Sequence, residues 1–157
     1  MVKINLLCVG KVKESYFSAG ILEYQKRITR FADFKIIEVA EENFKDPSVS
    51  EIEIIKEKEA DRLLPQLKGY IFAMAIEGTK CSSERFSERL KKLSSLGNSV
   101  FTFVIGGSYG LSERVKKRAD ELLSFSDMTF PHTLFRLLLT EQIYRAICIG
   151  EGVRYHK

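Results

Sequence analysis

Apolar residues in this chain gather into compact runs, and between the runs they recur every three or four positions. KINLLCVG, residues 3–10, is apolar enough for a buried strand, and Phe17, Ile21, Tyr24 and Ile28 behind it share one face of a helix. FKIIEVA, residues 34–40, predicts a second strand. A polar stretch with Asp46 and Pro47 then leads into SEIEIIKEKEADRLL, residues 50–64. There Ser50 and Glu53 have the spacing of a capping box, and Pro65 disturbs the far end of the helix.

The same alternation continues. YIFAMAIEG, residues 70–78, is a third strand, and Phe86, Leu90 and Leu93 form the inner face of a helix that starts after Ser82 and Ser83 and stops at Gly97-Asn98. VFTFVIGG, residues 100–107, is the fourth strand. A serine-started helix with Val115, Ala119 and Leu122 on one face follows, then the short run SFSDMTF, and after Pro131 a long last helix, HTLFRLLLTEQIYRAICI. Strands this apolar need cover on both sides, which predicts an α/β fold with a mostly parallel sheet and helices on both faces. No repeat, low-complexity tract or linker divides the chain, so residues 1–157 are read as a single domain.

Composition narrows the picture little further. At 157 residues, 45% hydrophobic and 29% charged, the chain is long enough for one real core. A net charge of +4 permits an acidic partner such as RNA without demanding one. Cys8, Cys81 and Cys148 are far apart, with no C-x-x-C pair and no histidine at ligand spacing, which argues against a disulfide framework and a metal site. The first apolar run is short for a secretion signal, and no segment reaches the ~18 apolar residues of a membrane span. The expectation is a cytoplasmic protein with no membrane partner.

Ligands of open α/β sheets bind beyond the carboxyl ends of the strands, which directs attention to AIEGTK, IGGSYGLS and SFSDMTFPHT. Gly106, Gly107 and Gly110 suit either close approach of a ligand or a tight strand-to-helix turn. They do not match a dinucleotide fingerprint, and no P-loop lysine follows them. Gly10 alone in the first turn argues against a nucleotide-binding Rossmann domain. His132 after Pro131 reads as a helix start or a packing residue before it reads as catalytic. Leu134, Leu137 and Leu138 are core. Arg136 and Arg145 are either solvated or aimed at an anion, and SERVKKRADE reads as a wet helix face. The chain ends in EGVRYHK, with one of its two histidines next to last, where chain ends usually fray.

FVIGGSYGLS, then LSFSDMTFPHTLFRLLLTEQIYRA, then a terminal YHK, with CVGKVKESYF and EYQKRI near the start, resemble the bacterial ribosomal RNA large-subunit methyltransferase H family. These are small SPOUT-class enzymes that methylate a pseudouridine of 23S ribosomal RNA, and the resemblance spans essentially the whole chain. It implies a C-terminal trefoil knot, a bent S-adenosylmethionine held by the knot's loops, and a homodimer whose active sites are completed near the subunit boundary. It carries the donor site onto Met74, Gly106, Phe125, Ser126, Asp127, Met128, Thr129 and Phe130. Position 74 is usually leucine in the family, and methionine keeps the apolar volume. It also makes His156, Tyr155 and Arg145 the catalytic group. The implied partner is 23S ribosomal RNA in the assembled ribosome, with Lys11, Lys13, Arg114, Lys117 and Arg154 as phosphate contacts by sign alone. A branched side chain at Gly106 is expected to strike the donor. A SPOUT enzyme acting on tRNA, or a dimeric RNA-binding module without turnover, would share the same sheet; the intact GGSYG, SFSDMTFPH and YHK segments argue against the second.

Overall fold

The structure is a computed structural model that describes residues 1–157. Its elements alternate: β1 Lys3–Val9, α1 Ser15–Ile28, β2 Asp33–Val39, α2 Val49–Leu63, β3 Tyr70–Lys80, α3 Ser83–Ser95, β4 Val100–Ile105, α4 Glu113–Arg118, β5 Glu121–Ser124 and α5 His132–Glu151. All strand pairs are parallel, in the order β2-β1-β4-β3-β5. This agrees with the parallel sheet predicted from the apolar runs.

Alternation along each strand divides the core in two. Ile4, Leu6 and Cys8 of β1, with Phe72, Phe101 and Phe103, face α1, α3 and α5; Leu7, Val9, Ile71, Ala73 and Val104 face α2 and α4. Phe72 and Phe103 are register partners on β3 and β4, and their rings stack with centroids 4.9 Å apart. Each such ring buried from water contributes about 1.5–3 kcal/mol, so the sheet's centre is its firmest part. No helix is long and apolar enough to cross a membrane.

Three local expectations are corrected. The capping box at the head of α2 is Ser48 with Glu51, two residues before the predicted pair: the Ser48 hydroxyl accepts from Glu51 N at 3.3 Å and Glu51 Oε1 accepts from Ser48 N at 3.1 Å. Both pairs have the right spacing, but the earlier one lets the helix start directly after Pro47. Pro65 falls in a single 3-10 turn, Leu64–Gln66, that closes α2. At the second site, α4 ends at Arg118, so Ala119 and Leu122 do not continue its face, and the fifth strand is Glu121–Ser124 ahead of the predicted SFSDMTF run. Asp120 pulls the chain out of the helix, because its amide donates to Ile71 O at 2.9 Å while its carboxylate accepts from Ile71 N at 2.8 Å. Finally, AIEGTK is a bulge inside β3: Met74 and Thr79 both pair with Leu123, so the intervening residues loop outward. Gly78 permits this, since a Cβ there would lie 2.7 Å from the Leu122–Leu123 backbone.

Candidate functional site

The carboxyl ends of β3, β4 and β5 open into a cavity of about 900 Å³. Met74 and Ile105 end the buried parts of their strands there, and Phe125 and Phe130 join Phe135 of α5 in an aromatic wall, with ring centroids 5.1 and 6.5 Å from Phe135. The loop between β5 and α5 is shaped by its own hydrogen bonds. Ser124 Oγ donates to Ser126 O at 3.1 Å, and Met128 N donates to Ser126 Oγ at 2.9 Å. Size and an apolar lining suit a small organic cofactor with a flat ring, and no group of three or more His, Cys, Asp or Glu in the chain is arranged to hold a metal ion.

Seven of the eight residues expected at the donor site line this one cavity: Met74, Gly106, Phe125, Ser126, Met128, Thr129 and Phe130. Asp127 does not. It is exposed on the outside of the loop and pairs with Lys80. Gly106 touches the cavity, but its need for glycine is internal, because a Cβ would lie 2.5 Å from the Gly110 carbonyl carbon and 2.7 Å from Leu111 N. The glycine cluster is therefore the tight turn, with Gly110 N donating to Gly107 O at 3.0 Å and Gly110 at φ +84°. A side chain at Gly106 would thus strike the chain's own loop as well as the space expected for the donor.

His132 is the first residue of α5, as its place after Pro131 predicted, and it also lines the cavity. Burial lowers its pKa, which favours the neutral imidazole. Lys116 and Glu77, also in the wall, close on each other at 2.6 Å. Arg136 is aimed at an anion after all: Nη1 meets Glu38 Oε2 at 2.5 Å, and Nη2 donates to Gly10 O at 3.0 Å, tying α5 to the turn after β1. Among the cations expected on RNA, Lys11, Lys13, Lys117 and Arg154 are exposed, while Arg114 is held by Glu57 at 2.5 Å and Asp61 at 2.7 Å.

The C-terminal tail is docked. Gly152, at φ +68°, ends α5 and Val153 N donates back to Cys148 O at 2.9 Å, which turns the last residues onto α5, α1 and α3. Tyr155 donates to Glu141 Oε1 at 2.9 Å and meets the Tyr24 hydroxyl at 3.2 Å, with its ring 4.8 Å from that of Tyr144. Burial, then the hydrogen bonds with Tyr24 and Glu141, hold the Tyr155 phenol well above its ordinary range. Arg145 stands over the Tyr155 ring at 4.8 Å, binds Glu141 Oε1 at 3.0 and 2.6 Å, and reaches His156 Nδ1 at 3.1 Å. His156 Nε2 meets Glu84 Oε1 at 2.7 Å. A guanidinium only donates, so the contact with Arg145 suits the tautomer in which Nδ1 accepts and Nε2 donates to Glu84. Arg145, Tyr155 and His156 thus form one cluster, as the resemblance implied, but none of them lines the cavity of its own chain.

Sequence reasoning missed Glu141, Glu84 and Glu14. Glu141 lies four residues before Arg145, a spacing that would have paired them on a helix. Glu14 occupies the helix-start position although Ser15, a better cap, stands next to it. Nothing local marks Glu84, which meets His156 only through the fold.

Comparison with known proteins agrees with this geometry. Residues 2–156 match the family described as "Predicted SPOUT methyltransferase". A ribosomal RNA large subunit methyltransferase H of Streptococcus uberis is 50% identical over 159 aligned residues, covering 99% of this chain and 100% of that protein. The protein of the same name from Lactiplantibacillus plantarum is 48% identical with the same coverage. Among solved structures, a probable methylase family protein from Haemophilus influenzae matches 100% of this chain and 72% of its own at a TM-score of 0.56 and 10% identity. A probable methyltransferase from Bordetella pertussis matches 93% of this chain and 95% of its own at 0.53 and 12%. The structures speak for the fold and the sequence identities for descent: the chain belongs to the SPOUT methyltransferase family and, within it, to the proteins named ribosomal RNA large subunit methyltransferase H.

Proposed function

We propose that this methyltransferase uses S-adenosylmethionine to methylate a ring nitrogen of a pseudouridine in 23S ribosomal RNA, with the assembled ribosome as substrate. The observation that carries the reading is identity of 50% over the full length of a protein named for that RNA subunit. The cavity supports the donor assignment. Its aromatic and aliphatic wall suits an adenine ring, and the turn Gly106–Gly110 and the loop Phe125–Phe130 bring backbone groups to the same space. When bound, S-adenosylmethionine supplies the methyl group on its sulfonium.

The protein's part is to hold the acceptor in line and to deal with the proton on its ring nitrogen. His156 is the group we assign to that proton, its Nδ1 being released from Arg145 when the acceptor enters. Arg145 supplies a fixed positive charge for the negative charge spreading onto the neighbouring carbonyls, and Tyr155 offers a ring for the base to stack on. Since these three do not line the cavity of their own chain, we assign them to the cavity of a second copy in a homodimer. Tyr16 and Leu22, 70% and 65% exposed on α1, and Val153 after α5 provide apolar surface on the helices that hold the tail. Exposed Lys11, Lys13, Lys117 and Arg154 are the proposed phosphate contacts. A net charge of only +4 fits a substrate whose own folded surface supplies much of the recognition.

The test offers the purified protein labelled S-adenosylmethionine with unmethylated intact ribosomes, separated subunits or free tRNA, followed by digestion to nucleosides. Label on pseudouridine from intact ribosomes is the expected result. Label on tRNA alone would keep the enzyme class and overturn the substrate.

A further inference from the structure

Glu14 precedes α1 in the capping position with extended backbone, φ −72° and ψ 117°, yet its side chain makes no hydrogen bond to the helix. Its Oε2 is shut away from solvent and has no hydrogen-bond partner in the chain, while the residue lines the same cavity as His132. The turn that carries it is anchored. Gly10, at φ +77°, accepts from the buried Arg136 and donates to Val39 O at 2.8 Å, so the start of α5 and the carboxyl end of β1 fix the segment leading to Glu14. No hydrogen bond within the chain occupies the Glu14 carboxylate, which leaves it free to turn and accept one from a ligand in the cavity.

The rest of the wall does not offset this charge. Five titratable residues line the cavity: Glu14, Glu77, Tyr109, Lys116 and His132. Lys116 and Glu77 neutralise each other at 2.6 Å, and burial holds His132 toward its neutral form. Glu14 is therefore the one carboxylate of the wall without a cation beside it, where the turn after β1 meets the head of α5.

We propose that Glu14 receives the α-ammonium group of the methionine portion of S-adenosylmethionine and thereby sets which way round the donor lies. The inference rests on the assignment of this cavity to that donor. An ammonium offers three N–H groups to the unpartnered Glu14 carboxylate, whereas a sulfonium offers positive charge but no hydrogen, and the adenine amino group is a neutral donor better served by backbone carbonyls. Recognition of the ammonium at one end and the ring at the apolar wall would force the chain between them to bend.

The experiment is calorimetric titration of the full-length protein and its Glu14→Gln variant with S-adenosylmethionine, S-adenosylhomocysteine and 5′-methylthioadenosine. The last keeps the adenosine and the sulfur and lacks the amino-acid portion. The variant keeps the side chain's shape and breaks no cap, so thermal unfolding should match the native protein. Affinity for the first two ligands should fall by about tenfold or more, as for loss of a charge-assisted hydrogen bond, while affinity for 5′-methylthioadenosine stays the same. Unchanged affinity for S-adenosylmethionine overturns the proposal, and so does equal loss of all three ligands, which would mean a damaged cavity. Loss confined to S-adenosylmethionine would overturn it in favour of the sulfonium, and intact binding with lost turnover would place Glu14 on the acceptor. If the native protein binds none of the three, the donor assignment itself falls.

Discussion

His156 has both ring nitrogens occupied, Nδ1 by Arg145 and Nε2 by Glu84, at 3.1 and 2.7 Å. A side chain so held is fixed in position, and its loss should affect the proton step and spare donor binding. His156→Ala is expected to lower kcat by roughly 10²-fold or more while leaving the dissociation constant for S-adenosylmethionine nearly unchanged. Equal loss of both would make the tail a structural strap. Gly106 presents the opposite case, a residue at the cavity whose constraint comes from the chain itself. A valine there places Cβ 2.5 Å from the Gly110 carbonyl carbon, so Gly106→Val should cost about 2 kcal/mol or more and lower the thermal midpoint along with donor binding. Native stability with lost binding would return the clash to the ligand.

At the scale of elements, the site depends on how strand ends meet helix starts. Arg136 is the connection between α5 and the turn after β1, and it is buried with its guanidinium divided between Glu38 and the Gly10 carbonyl. Arg136→Ala removes both contacts at once. Glu38 remains partly open to water and can be rehydrated, but the Gly10 carbonyl loses its donor, so the expected cost is about 2 kcal/mol. Chemical denaturation should show a lower midpoint with an unchanged slope; an unchanged midpoint would mean that the turn is held by other contacts. The boundary between α4 and β5 follows the same logic. Helical spacing of Val115, Ala119 and Leu122 extends the helix on paper, and the paired hydrogen bonds of Asp120 with Ile71 end it in the fold.

At the scale of the whole molecule, cavity and tail cluster are separate within one chain, and in the proposed homodimer assembly would bring them together. Light scattering at micromolar concentration should give twice the chain's mass. A monomer would overturn the composite site and leave Arg145, Tyr155 and His156 without an acceptor to act on. The apolar surface of Tyr16, Leu22 and Val153 is where burial by a second copy is expected.

The sequence by itself determined the alternation of strands and helices and which loops carry the site, because apolar runs and 3.6-residue spacing record what each element buries. Through its motifs it also led to the family and to seven of the residues that line the cavity. Only the tertiary structure decided how those groups are used. Gly106 is constrained by Gly110 and Leu111, Arg136 by Glu38 and Gly10, and His156 by Glu84, 72 positions away in sequence. Glu14 joined the cavity wall only through the fold, which brings it to the same space as His132 at the head of α5. Local spacing encodes which face a residue shows to its own helix or strand, but the partner that removes its water comes from elsewhere in the chain. Whether a charge is solvated, paired or left to meet a ligand is therefore settled by packing.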